Sequence, residues 1–247
     1  MLPRLVLLLI AAASLLPAAD FREFKKTVPL EKGGRLWLDT YKGSIRVTAW
    51  DQPQVDIQAR IEPDLSWMAE PVDDVEIRVD ASSGSVRIKS VYHDRHAFLQ
   101  GNLPFVRYTI RMPAGASLSV KDYKSESDIS GVQGDIEFDT YKGEARLNGL
   151  RGALDLKTYK GTVRASFAIF NSRSHVDTYR GSVELALPRS SAFEIHAQLE
   201  RRATLDCDFS HTVQSGRRER EFRGTVNGGG PVLRVTSYRG TIRIHSV

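Results

Sequence analysis

A five-residue motif that returns along the chain constrains the fold more than any other feature. Asp39-Thr40-Tyr41-Lys42-Gly43 recurs as Asp139-Thr140-Tyr141-Lys142-Gly143, Lys157-Thr158-Tyr159-Lys160-Gly161 and Asp177-Thr178-Tyr179-Arg180-Gly181. Thr236-Ser237-Tyr238-Arg239-Gly240 ends the series, and Lys121-Asp122-Tyr123-Lys124-Ser125 is a variant with serine in the glycine place. Tyr123, Tyr141 and Tyr159 are 18 residues apart, and Tyr179 follows 20 later. Self-similarity at a fixed period marks an architecture built by stacking like units.

A finer period lies inside the larger one. Gly134, Gly143, Gly152 and Gly161 are nine residues apart. Each is followed by alternating apolar or small positions: Ile136 and Phe138, Ala145 and Leu147, Leu154 and Leu156, Val163 and Ala165. Polar residues such as Glu137, Arg146, Asp155 and Arg164 fall between them. Period-two alternation predicts strands with one buried face, and the glycines are read as suppliers of turn conformations that a β-carbon disfavours. Each nine-residue unit is one strand plus one turn, and two units with different turns make a rung. The Tyr-Lys-Gly and Tyr-Arg-Gly turns lack the Asn-Gly and Asp-Gly pairs of tight hairpins. That favours an all-β β-solenoid over the alternative, an antiparallel meander or sandwich.

The alternation continues outside the regular repeat, in Ile45-Val47-Ala49, Val55-Ile57-Ala59, Val75-Ile77-Val79 and Val106-Tyr108-Ile110-Met112. Ala81-Ser82-Ser83-Gly84 reads as a hairpin turn before Val86 and Ile88, and Pro63 to Pro71 as room for one helical turn. Glu62 to Asp74, Tyr92 to Pro104 and Pro188 to Pro231 read as irregular insertions in a single domain, residues 20–247.

The chain opens with Arg4, an apolar run from Leu5 to Leu16 and Pro17-Ala18-Ala19. Those are the three parts of a secretory signal peptide, assigned to residues 1–19. The run is shorter than the ~20 apolar residues of a membrane span. The expectation is an exported chain, periplasmic or at the cell surface, with no transmembrane segment after cleavage. The single cysteine, Cys207, cannot form an internal disulfide, and its alternation with Leu205 and Phe209 predicts burial.

The layout from Arg107-Tyr108-Thr109-Ile110-Arg111-Met112-Pro113-Ala114-Gly115, through Gly181-Ser182-Val183-Glu184-Leu185, to Gly228-Gly229-Gly230-Pro231 and the final repeat has a known look. It resembles the bacterial adhesin-like β-strand-repeat family, relatives of the auto-transporter adhesin head domain, over nearly the whole mature chain. The resemblance implies a β-helical fold and an envelope location. It transfers no catalytic residue. The family commonly has a small aliphatic residue and Ser-Gly or Asn-Gly where this chain has Tyr-Lys-Gly or Tyr-Arg-Gly.

If equivalent turns stack, Tyr41, Tyr123, Tyr141, Tyr159, Tyr179 and Tyr238 form an aromatic ladder flanked by Lys42, Lys124, Lys142, Lys160, Arg180 and Arg239. Aromatic faces beside cations suit an envelope glycan or other polyanion. The same ladder also reads as mere filling of the rung edges. A formal charge of +5 fits acidic partners, whereas export and the lack of a recognition element argue against nucleic acid. The run Arg217-Arg218-Glu219-Arg220-Glu221-Phe222-Arg223, near Arg201-Arg202, is a second basic surface diluted by glutamates.

His93-Asp94-Arg95-His96 offers too few ligands for a metal. No nucleophile elbow, paired acid and base or phosphate loop stands out. The expectation is therefore a non-enzymatic binding or scaffold module with no cofactor or metal, bound to a glycan or to a protein. The contrasting expectation is a carbohydrate-active β-helical enzyme. A third, structural one is self-association through an open sheet edge at the last strand.

Overall fold

A computed structural model describes residues 21–64, 72–93, 103–200, 202–215 and 220–247. The expected signal peptide, most of the expected helical turn at Pro63–Pro71, Asp94 to His96, Arg201 and Arg217 to Glu219 lie outside the described residues. Among the described residues nineteen strands run in chain order. They are β1 (Arg22–Pro29), β2 (Arg35–Trp50), β3 (Gln54–Glu62), β4 (Val75–Ser82), β5 (Ser85–Tyr92), β6 (Phe105–Pro113) and β7 (Ser117–Ser130). The repeat region holds β8 (Ile136–Thr140), β9 (Glu144–Leu150), β10 (Leu154–Thr158), β11 (Thr162–Phe167), β12 (Ser174–Thr178) and β13 (Ser182–Leu187). Then come β14 (Phe193–Leu199), β15 (Thr204–Cys207), β16 (His211–Ser215), β17 (Glu221–Val226), β18 (Val232–Ser237) and β19 (Thr241–Ser246). A short 3-10 turn (Val72–Asp74) precedes β4. Among the described residues no helix is long and apolar enough to cross a membrane.

Successive rungs pair in parallel with matching register, which decides for the solenoid and against the meander. Leu118, Ile136 and Leu154 face one another across β7, β8 and β10, and Ala145, Val163 and Val183 do so across β9, β11 and β13. The first half of each rung builds one face of a flattened coil and the second half builds the other. β2 and β7 run unbroken around the tyrosine edge and so belong to both faces. Between the faces lies a core in which Ile136, Phe138, Leu147, Leu156, Val163 and Leu185 are all buried. Alternation at period two made this possible, since every second side chain of both sheets points inward.

The ends depart from a simple series. β5 and β6 stack in parallel on the outside of β2, and the antiparallel β4, β3 and β1 close that end. At the other end β18 and β19 insert between β12–β13 and β14–β15. The stretch from Pro188 to Pro231, expected to be irregular, therefore contains four strands. Its alternation, in Phe193-Ile195-Ala197-Leu199 and Leu205-Cys207-Phe209, lies outside the tyrosine-glycine repeat. The expected open edge at the last strand is also corrected, because β19 is paired on both sides, by β13 and β15. The outer strands are guarded instead: β15 has only four residues, and β1 carries Lys25, Lys26 and a closing Pro29. Cys207, expected to be buried, is half-buried at this short edge, and burial raises its thiol pKa.

Candidate functional site

The tyrosine edge is held by one hydrogen-bond device repeated at each rung. The inward Thr140, Thr158 and Thr178 hydroxyls accept from the backbone N–H of Gly143, Gly161 and Gly181, each at 2.9 Å. Ser237 does the same for Gly240 at 3.0 Å, and the Asp122 carboxylate for Ser125 at 2.9 Å. These three-residue loops are buried, and they satisfy backbone donors that the turn would otherwise orphan. The parallel ladder continues through the turn: Lys142, Lys160 and Arg180 donate from their N–H to the carbonyls of Tyr123, Tyr141 and Tyr159, each at 2.8 Å.

Among the glycines at this edge Gly43 has a positive φ of 139°, and the others do not adopt left-handed conformations, contrary to expectation. Gly143, Gly161, Gly181 and Gly240 are absent from the positive-φ residues, which among glycines are Gly43, Gly131, Gly149, Gly228 and Gly229. Their need is space. A β-carbon on Gly161 would sit 2.3 Å from the Gly143 carbonyl oxygen, and one on Gly181 2.5 Å from that of Gly161.

With the turns superposed, the six tyrosines stack. Centroid separations from Tyr41 through Tyr123, Tyr141, Tyr159 and Tyr179 to Tyr238 are 4.5, 4.9, 4.6, 4.7 and 4.8 Å, with ring planes within 8° of parallel. Tyr92 meets Tyr41 edge-on at 6.0 Å. The faces of the internal rings therefore cover one another, and a sugar ring cannot stack on them. What the ladder presents outward is a ridge of ring edges.

The two flanks of that ridge differ in charge. On one flank Lys124, Lys142, Lys160, Arg180 and Arg239 are exposed on successive rungs. The last four stand 5.4–5.5 Å from the ring centroid of their own tyrosine. None of the five takes part in an ion pair among the described residues. Lys42 does not join this line. It turns inward to Asp64 at 2.5 Å and the Leu103 carbonyl at 3.3 Å and sits 4.1 Å from the Phe105 ring centroid, because β6 runs beside β2 there.

On the other flank a groove of about 690 Å³ runs along the ridge. Its outer wall, from Asp39 to Asp177, belongs to a row the sequence reading missed. Lys89, Asp39, Lys121, Asp139, Lys157 and Asp177 lie side by side on β5, β2, β7, β8, β10 and β12, alternating in sign at every step. The period of 18 was the available signal, since it aligns Lys121, Asp139 and Lys157. Of the other expected features, His93 lies 3.4 Å from Glu76, and Arg223 is exposed on β17 opposite His196. Among the described residues no cluster of three or more His, Cys, Asp or Glu side chains is placed to hold a metal.

Comparison with known proteins gives a family profile, Toastrack DUF4097, matching residues 39–245. No protein of curated function matches the chain. A crystal structure of a candidate cell adhesion protein from Clostridium sporogenes is similar in fold, with a TM-score of 0.54 at 12% identity over 92% of this chain and 100% of that one. A candidate adhesin from Bacteroides fragilis aligns over 91% of this chain and 97% of its own, at 14% identity and a TM-score of 0.43.

Proposed function

We propose that this chain, which belongs to the Toastrack DUF4097 family, is an exported, non-catalytic binding or scaffold module of the cell envelope whose contact strip is the tyrosine ridge with its row of cations. The observation that carries this reading is the unbroken line Lys124, Lys142, Lys160, Arg180 and Arg239, one positive charge per rung and, among the described residues, none paired with an acid. At the rung spacing two exposed unit charges repel by about 1 kcal/mol in water before salt screening. An extended polyanion lying along the row relieves that repulsion at each step. The ligand class is therefore a linear anionic envelope polymer, read by charge spacing and not by ring stacking.

Three further points support the reading. The apolar run from Leu5 to Leu16, with Pro17-Ala18-Ala19 after it, has the layout of an export signal occupying residues 1–19. The Clostridium sporogenes protein of like fold is described as a candidate cell adhesion protein. The family resemblance brings no catalytic constellation with it. We place the protein in the periplasm or at the cell surface, as a single domain over residues 20–247.

The test is binding of the purified chain to a linear polyuronate, to its neutral counterpart and to vesicles containing anionic lipid, at low and high salt. The Lys142→Glu/Lys160→Glu variant runs alongside, with its fold checked by circular dichroism. Salt-sensitive binding of the polyuronate, at least tenfold weaker in the folded variant, is the expected result. No binding by the native chain, or equal binding by both, refutes the strip as a polyanion site. Preference for the vesicles moves the ligand from glycan to lipid headgroup.

A further inference from the structure

From the alternating row on the groove side we infer a second surface, independent of the polyanion reading: the face of the solenoid built by the first half of each rung docks on the same face of a second copy of this chain. The row reads Lys89, Asp39, Lys121, Asp139, Lys157, Asp177 across six adjacent strands. An even-numbered row of strictly alternating sign is self-complementary when reversed. A two-fold axis parallel to the strands, midway between Lys121 and Asp139, turns one such face onto the other and reverses the order of rungs. Every residue of the row then meets its opposite: Lys121 faces Asp139 of the second copy, Lys157 faces Asp39, and Lys89 faces Asp177. This is the isologous contact that a two-fold dimer requires.

Shape and neighbouring rows agree with the charges. Facing sheets sit about 10 Å apart, and a long lysine opposite a short aspartate spans that gap where two lysines would clash. Within each copy only Lys89 and Asp39 come within ion-pair distance in this row, at 3.9 Å. One row back, Ser119 faces Glu137 and Trp37 faces Asp155, while Arg87 opposite His175 is the one pairing without complementarity. Tyr123 comes to lie opposite Tyr141 at the rim. The cation row lies beyond the tyrosine ridge, so it remains open in the dimer.

Five ring-to-ring steps of 4.5–4.9 Å give the face a length of about 23 Å along the stack. Seven residues from Arg35 to Tyr41, at about 3.3 Å each, give a similar width. The flat footprint is then about 500 Å² per copy, below the ~800 Å² of accessible surface per partner in a stable complex. The dimer is therefore weak and reversible, with its register fixed by charge and not by apolar burial.

The row supplies a test that folding defects cannot imitate. Asp139→Lys places lysine against lysine twice across the two-fold axis, and Lys121→Asp places aspartate against aspartate twice. In a mixture of the two variants, each contact again joins a lysine to an aspartate. Sedimentation velocity over a concentration series should show the native chain dimerising, each variant alone at least tenfold weaker, and the equimolar mixture recovered to near the native level as a heterodimer. Circular dichroism confirms that each variant is folded. A native chain that stays monomeric at its highest soluble concentration overturns the proposal, as does a mixture no more associated than its components.

Discussion

Asp122 occupies the place that Thr140, Thr158 and Thr178 hold on neighbouring rungs, and it is the least comfortable occupant. Its Oδ2 accepts from the Ser125 N–H at 2.9 Å and from the Thr140 hydroxyl at 3.0 Å. Its Oδ1 is buried with no hydrogen-bond partner. Burial raises the pKa of this carboxyl, and the bonds at Oδ2 offset only part of that. A carboxyl whose folded pKa lies above its unfolded value, ~3.9, binds more protons in the native state. Its contribution is therefore most favourable at and below that value and is lost as pH rises through the folded pKa. Asp122→Thr, which restores the device of the other rungs, should flatten this dependence and stabilise the fold at neutral pH by about 1–3 kcal/mol, the cost of an unpartnered buried acceptor. Urea denaturation of both chains from mildly acidic to neutral pH reads this directly, and equal slopes against pH would refute it. The aspartate was plain in the sequence as a departure from the motif. Its inward direction was not, because Lys121-Asp122-Tyr123 fixes the alternation only once the register with Thr140 is known.

The rung is the element at which most of the sequence reading holds, and also where its reasons needed revision. Nine-residue spacing and period-two alternation located the strands from β8 to β11 and their buried residues, and the return of tyrosine placed the ring stack. The same glycines were assigned the wrong cause, since turn conformation and close approach leave one and the same letter in a sequence. Gly161 shows the difference: its missing β-carbon would lie 2.3 Å from the Gly143 carbonyl oxygen on the next rung. Gly161→Ala should cost about 3 kcal/mol or more, as an overpacked site against backbone that cannot withdraw. Gly149→Ala is the contrast. It has φ 70° and nothing within 4 Å of an added β-carbon, so its smaller cost is purely conformational. Thermal melts of the pair separate the two causes, and a milder effect at Gly161 would contradict close approach. Lys42 marks a second limit of the repeat. It has the motif's letters but faces Asp64 and Phe105 from the capping segment, a neighbour that no local pattern announces.

At the scale of the whole molecule the stack departs from chain order at both ends, and this changes how it should fail. In a serial solenoid each unit touches only its sequence neighbours, so losing the last costs a single interface. Here the last rung, β18–β19, is internal: β12 and β13 pair with it on one side, and β14 and β15 on the other. Removing residues 232–247 would therefore expose two interfaces, strip both β13 and β15 of a partner, and leave an open, apolar sheet end rich in the groups that drive aggregation. Long sequence separation within these pairs also makes them slow to form, since the loop from β13 to β19 must close before any contact rewards it. The expected outcome is a single cooperative unfolding transition for the intact chain, with ring fluorescence and far-ultraviolet circular dichroism coincident, and an insoluble or unfolded product for the 1–231 chain. A soluble 1–231 chain that melts as a shortened version of the native protein would mean that the final rung is a detachable cap. The nine-residue repeat could not convey this arrangement, because each unit specifies the shape of its neighbours' surfaces and not which unit arrives there.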